Sequence, residues 1–370
     1  MTEKGLWEKA YGRIFEIYGE KPDLRIISRF YSEKSALMKY GVAEYFYYDI
    51  ARLRYEAEAA GEKMIAKNTA ASCFVAFLLG AVDENPLPAH YLCPDCKAVE
   101  WRLGDCVFDM PSRTCACGAR MLPCGSDIPF ETYLPYAKRQ MSVKKAQNYR
   151  EMFDKILSHF QRSVLHSVSL CRELEAVTGA CMDEIDLCDC SIRSKILSGN
   201  FSTMAGLVNV DFLKGMIAIA KPGSYKDLLK LLGLAHGTYT WRGNAEALIA
   251  KGRCTLDDIP ATRDEVFMKI RDAMRECCIY EEGIATEICD RVRKGDFAEN
   301  GMDAYFFWVL QMLGLEDWLS DYFCKIRYMS TKALSVLELK YSIIINWYST
   351  YYPKEYELVN KENAEFEDKI

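Results

Sequence analysis

Two close cysteine pairs constrain this chain more than any other feature. Cys93-Pro-Asp-Cys96 and Cys115-Ala-Cys117-Gly118 stand eighteen residues apart in a stretch dense in proline and glycine. Two such pairs, each on a turn, can set four thiolates at the corners of a tetrahedron, the geometry a structural zinc ion takes. The second pair is one residue shorter than the stronger C-x2-C spacing, so Cys106 and Cys124 stand as alternative ligands. Four sulfurs fill the coordination sphere and leave no position for a reactive water, so the zinc expected here is structural. Against it stands a simpler reading, a set of free thiols without metal. His90, beside the first pair, offers a spare nitrogen ligand, with packing as its blander use.

The remainder of the chain bounds the setting. Sixteen cysteines in 370 residues, with no apolar leader, read as thiols and a metal site in a reducing compartment. No apolar run reaches the length of a bilayer span, so a cytoplasmic protein without a membrane partner is expected. Half the residues are hydrophobic and 27% are charged, enough for two or three cores. The net charge of −6 argues against a uniformly basic nucleic-acid binder but leaves local basic surface open.

Hydrophobic spacing predicts an α+β, mostly α chain. Residues 5–60 read as helices, with stretches at Ile26–Leu37 and Tyr45–Tyr55 after the break at Gly19–Pro22. The apolar run 74–82 fits either a buried strand or a helix start. Residues 88–133 form the cysteine segment, 134–160 a basic linker or helix, and 161–352 a helical domain with 353–370 as a charged, frayed tail. Ser224-Tyr-Lys-Asp227 and Thr262-Arg-Asp-Glu265 fit capping boxes, and Gly233, Gly237 and Gly243 punctuate short helices.

The blocks Asn85–Cys96, Asp109-Met-Pro, Cys115–Gly118 and Asp127–Tyr133 resemble, in order and spacing, the cysteine ribbon of PolC-type DNA polymerase III α subunits, bacterial replicative polymerases of the C family. Gly233-Leu-Ala-His-Gly-Thr-Tyr-Thr-Trp-Arg-Gly-Asn-Ala245 and Lys325-Ile-Arg-Tyr-Met-Ser-Thr-Lys-Ala333 are similar to the fingers motifs of that family, and Gly41–Tyr47 to the entry of its palm. The resemblance implies a palm-like region over 1–87, a zinc ribbon over 88–133 and helical fingers over 161–352.

The departures carry as much weight as the matches. Where the family has a Ser-Arg-Gly-Ser loop for the incoming triphosphate, this chain reads Ala66-Lys-Asn-Thr-Ala-Ala-Ser-Cys73, in which Lys67 alone keeps a charge. Where the family has its Asp-Ile-Asp pair, this chain runs Leu134-Pro-Tyr-Ala-Lys-Arg-Gln-Met141, and no acid stands near Leu165-His166 where the third palm aspartate would fall. Two-metal nucleotidyl transfer needs paired carboxylates, so no catalytic residue and no catalytic magnesium are expected. The family's exonuclease, metal-dependent PHP and helix-hairpin-helix parts have no counterpart in the sequence.

The resemblance then assigns nucleotide or nucleic-acid contact to Lys67, His236, Trp241, Arg242, Asn244, Lys325, Arg327 and Lys332, with Tyr239 and Tyr328 as further stacking rings. Solvated helix faces with core aromatics are the bland alternative. Three functional readings follow. The first is a non-catalytic DNA-binding replication factor, of a mobile element or its host, which holds primer-template or single-stranded DNA. The second is a module that binds a replisome protein without touching DNA. The third is a polymerase with a site rebuilt around Asp183 and Asp186.

Overall fold

The computed structural model describes residues 3–41, 69–135, 162–206, 208–280 and 283–367. The expected helix at 45–55, Lys67 and nearly all of the basic stretch 134–160 lie outside these residues. The architecture is α+β and mostly helical, with one small sheet. Among the described residues no helix is long and apolar enough to cross a membrane.

Helix α1 (Glu3–Tyr18) presents Leu6, Ala10, Ile14 and Tyr18 to a core, a four-residue spacing that keeps one face inward. Helix α2 (Leu24–Tyr40) starts at Asp23, whose carboxylate accepts from Arg25 N at 2.8 Å, and ends at Gly41 in the left-handed region. The run from 74 onward resolves as a short buried helix, α3 (Phe74–Leu78), packed on α1 and α2. Glu33 is buried among them. It pairs with Arg29 and accepts from Val75 N at 2.9 Å, while Arg29 donates onward to the carbonyls of Ser72 and Ile128. A buried carboxylate is tolerated there because cation and amide both satisfy it.

The sheet contains β1 (His90–Leu92), β2 (Val99–Trp101), β3 (Arg113–Thr114) and β4 (Arg120–Cys124) in the antiparallel order β2-β1-β4-β3. His90 faces Trp101 on one side and Cys124 on the other. Gly125 then turns at φ 91°, where a Cβ would stand 2.3 Å from the Pro88 carbonyl oxygen, so only glycine fits.

The helical half runs through α4 (Arg162–Thr178), α5 (Cys190–Leu197), α6 (Val210–Ala220), α7 (Tyr225–His236) and α8 (Glu246–Ala250). It continues through α9 (Arg263–Glu276), α10 (Gly283–Lys294), α11 (Asp296–Asn300), α12 (Ala304–Met312) and α13 (Asp317–Phe323). Helix α14 (Lys332–Tyr351) is its spine, buried nearly all round against α4, α5, α7 and α9. Polar groups on that spine have partners: Ser342 Oγ accepts from Ala205 N, and Asn346 donates to the Thr203 carbonyl.

Three expectations are corrected. Residues after Pro353 form a helix, α15 (Pro353–Glu367), because Tyr356 and Val359 bury an apolar edge with α4 and α14. Gly233 does not end a helix. It sits inside α7, where a Cβ would meet Thr262 Cγ2 at 2.6 Å, and so lets the 261–262 backbone approach. At Thr262 the threonine caps Glu265 N, but Glu265 reaches back to Ala261 N and not to the cap residue itself. The Ser224 box closes in both directions.

Asp264, in the first turn of α9, joins the two halves. Its carboxylate is buried and accepts from Thr132 Oγ1 at 2.9 Å and from Lys332 N at 2.6 Å. Asp264→Ala removes the acceptor of Lys332 N, while the Thr132 hydroxyl can turn to the Pro129 carbonyl at 2.9 Å, and the change is expected to cost about 2 kcal/mol of stability in urea unfolding. The exposed neighbour change Asp272→Ala is expected to stay within about 0.5 kcal/mol.

Candidate metal centre and nucleic-acid cleft

Each cysteine pair sits on a tight turn that the strands deliver. Cys93 N donates to the Ala98 carbonyl and Lys97 N to that of Cys93, with Lys97 at φ 62°. Cys115 N donates to the Ala119 carbonyl and Gly118 N to that of Cys115, with Gly118 at φ 93°. The left-handed residue after each pair curls the backbone around the sulfurs. Cys93 Sγ and Cys117 Sγ stand 3.5 Å apart, as do Cys96 Sγ and Cys115 Sγ, and all four sulfurs lie within 4.8 Å of one another. A tetrahedral zinc with Zn–S bonds of about 2.3 Å needs sulfurs about 3.8 Å apart, so the donor set fits a metal ion.

The electrostatics agree with that fit. Burial pushes the Cys93 thiol up, but the Cys96 and Asp95 amides and the neighbouring thiols outweigh it and bring it down to about 6. The Ala98 amide pulls Cys96 down, yet the other three sulfurs push it up to about 12. Four sulfurs cannot all ionise side by side without a cation to hold them. The alternative ligands stand elsewhere: Cys106 packs in the main helical core and Cys124 against the N-terminal cluster. His90 is also no ligand of this group. Its ring is buried between Tyr18 and Trp101, Nδ1 lies 2.7 Å from the Pro88 carbonyl, and burial lowers its pKa.

The second candidate site is built by two loops meeting. Thr238 N donates to the Tyr328 carbonyl at 2.9 Å and Arg327 N to the Thr238 carbonyl at 3.0 Å, a two-residue antiparallel tie. The tie turns Tyr239 outward at φ 59°, with its ring 61% exposed and the Arg327 guanidinium 5.9 Å from its centroid. The chain then makes a wide turn over Trp241–Ala245, in which Gly243 at φ 66° reverses direction. Asn244 locks this turn by donating to the carbonyls of Tyr239 and Tyr322, and Lys325 Nζ donates to that of Gly243 at 3.2 Å.

The result is a cleft of about 300 Å³ with Tyr239, Arg242, Asn244, Lys325 and Arg327 on its walls. Arg242, Lys325 and Arg327 are all exposed. Asn244 Oδ1 is buried with no hydrogen-bond partner among the described residues. Glu299 of α11 opposes Arg327 at 3.7 Å, an exposed pair of little strength. Nothing in the sequence signals that contact. Three cations and an exposed ring around one opening can meet phosphates and stack a base.

Other expected contact residues lie apart from this cleft. Trp241 is only 3% exposed and packs in the main core, so it offers no stacking face. His236, expected to contact nucleotide or nucleic acid, is nearly buried and paired through Nε2 with the buried Glu338 of α14. Lys332 Nζ donates to the Asp127 carbonyl at 3.0 Å.

Lys332 lines a larger cleft of about 450 Å³ where the ribbon meets the helices. Its other lysines are equally committed: Lys226 to the Gly104 carbonyl, Lys230 to those of Asp257 and Ile259, and Lys269 to that of Asp258. With six carboxylates around them, these ammonium groups bridge backbone segments rather than wait for an anion. Of the acids near 183–189, Asp189 caps α5 and Asp186 accepts from Cys188 N, while Asp183 and Glu184 are exposed. Among the described residues, the four cysteines are the group with ligand atoms close enough for one ion.

No protein-family profile matches the chain. It is similar to the proteins named DNA polymerase III PolC-type of Staphylococcus aureus strains MW2 and USA300. Identity is 23% over 473 aligned positions, covering 94% of this chain and 32% of each relative. The chain is a distant PolC-like relative. It spans about a third of the length of those relatives. The aligned positions outnumber its 370 residues, so the relatives carry residues inside the matched span that have no counterpart in this PolC-like chain.

The purified protein is expected to carry about one zinc per chain by elemental analysis. Cys115→Ser or Cys117→Ser should lose the metal and lower the melting temperature by about 5 °C or more, as should chelation. Cys124→Ser should keep the metal.

Proposed function

We propose that this PolC-like chain is a non-catalytic DNA-binding factor of DNA replication, active in the cytoplasm. It holds primer-template or single-stranded DNA at the cleft of Tyr239, Arg242, Asn244, Lys325 and Arg327, with a zinc ribbon as scaffold. The observation that carries this reading is the cleft itself. Its three cations are exposed beside an exposed ring, with Lys325 steadied by the Gly243 carbonyl and Arg327 opposed only weakly by Glu299.

The non-catalytic part of the proposal rests on the missing acids. Leu134–Met141 offers no carboxylate pair where the family has its Asp-Ile-Asp pair, and no acid stands near Leu165-His166. The domain order proposed is palm-like 1–87, ribbon 88–133 and fingers-like 161–352.

Fluorescence anisotropy with a labelled primer-template, titrated over salt, tests the binding. Salt-sensitive association is expected, and Arg242→Glu with Lys325→Glu should weaken it about tenfold or more and flatten the salt slope by about 1.8. Tyr239→Ala should cost about 1–3 kcal/mol of affinity. No association at low salt, or binding indifferent to these changes, would remove the proposal.

A further inference from the structure

Helix α12 carries an apolar face left exposed among the described residues. Phe306, Val309 and Leu310 point inward, with Phe306 held against Phe297 and under the Arg291 guanidinium. Tyr305, Phe307, Trp308 and Met312 point outward, and Trp308 is 55% exposed. Tyr305, Trp308 and Met312 follow the spacing i, i+3, i+7, so they form one stripe along the helix. Apart from its ends, Gln311 is the polar residue on that outer surface. A solvent-facing helix surface is ordinarily charged, and exposed aromatic residues with methionine are the composition of an interface centre.

Charge around the stripe decides what it can receive. Residues 295–324 contain six carboxylates and no lysine or arginine. Three of the six are partnered from outside the segment, Asp296 and Asp303 by Arg291 and Glu299 by Arg327. Glu316, Asp317 and Asp321 remain exposed, with no ion pair among the described residues. Arg291, the cation that touches this helix, is already paired with Asp296 and Asp303, so the unpaired charges of the segment are acids and its rings are poor stacking platforms for nucleic acid, which needs free cations alongside. The same combination suits a helix with apolar anchors on one face and lysine or arginine at its margins.

We infer that the outer face of α12, with Asp317 and Asp321 of α13, docks a cationic amphipathic helix of another protein. The inference is independent of DNA binding at the Tyr239 cleft.

The test uses the full chain and a fluorescein-labelled, 18-residue leucine/lysine peptide with helical leucine spacing; the matching leucine/glutamate peptide is the control. Anisotropy should show salt-sensitive binding of the lysine peptide and none of the glutamate peptide. Trp308→Ala should weaken binding about tenfold. Asp317→Lys with Asp321→Lys should do likewise, and Asp183→Lys with Glu184→Lys, an exposed acidic site elsewhere, should leave it unchanged. All of these positions are exposed, and circular dichroism checks that each variant is folded. Four results would overturn the inference: no binding, binding that ignores Trp308, competition by an unlabelled oligothymidylate, or a Trp308-dependent self-association that covers the face with a second copy.

Discussion

One buried carboxylate holds the two halves of this molecule in register. Asp264 sits at the start of α9 and faces the start of α14, so the positive ends of two helices compensate a charge removed from water. Through Thr132 it reaches the segment that leaves the ribbon, and Lys332 closes the loop by donating to the Asp127 carbonyl. The next backbone bond, from Arg263 N to the Ser330 carbonyl, fixes the strand-like stretch that carries Arg327 and Tyr328. The ribbon, the spine helix and one wall of the cleft therefore meet at this acid, and Asp109 makes a second tie by accepting from Tyr225 N and Lys226 N.

That arrangement sorts the cations of a chain whose net charge is negative. Where ribbon and helices meet, lysines are consumed in bridging backbone carbonyls across the joint. The cations left facing solvent at Arg242, Lys325 and Arg327 gather where two loops cross, and just beyond them the chain turns wholly acidic over α11–α13. Opposite local charges on adjoining segments allow one small molecule to offer two unlike surfaces, one for phosphate and one for a basic partner. Bulk charge conceals both.

The parts legible in the sequence were those with local causes. The cysteine turns need only a left-handed residue after each pair, and Lys97 and Gly118 stand there. The Ser224 box and the face of α2 follow from spacing within one or two turns. What escaped was set by distant partners. Gly233 reads as a helix end until the Ala261–Thr262 backbone is packed on it, and His236 reads as a nucleic-acid contact until Glu338, about a hundred residues on, is brought beside it. The matched motif placed Trp241 with its polar neighbours, yet the turn that Gly243 allows sends the indole inward and leaves Arg242 outside. The C-terminal charges masked a helix because, among the described side chains, its buried edge comes from Tyr356 and Val359.

The central claim is that a PolC-like frame holds DNA without the acids that drive nucleotide transfer. A primer-extension assay at DNA concentrations that saturate binding, with all four deoxynucleotides and either magnesium or manganese, tests it most directly. The account predicts that the primer stays at its original length while the protein remains bound. Template-directed extension that requires the metal would contradict it, and would mean that carboxylates elsewhere in the chain seat the ions.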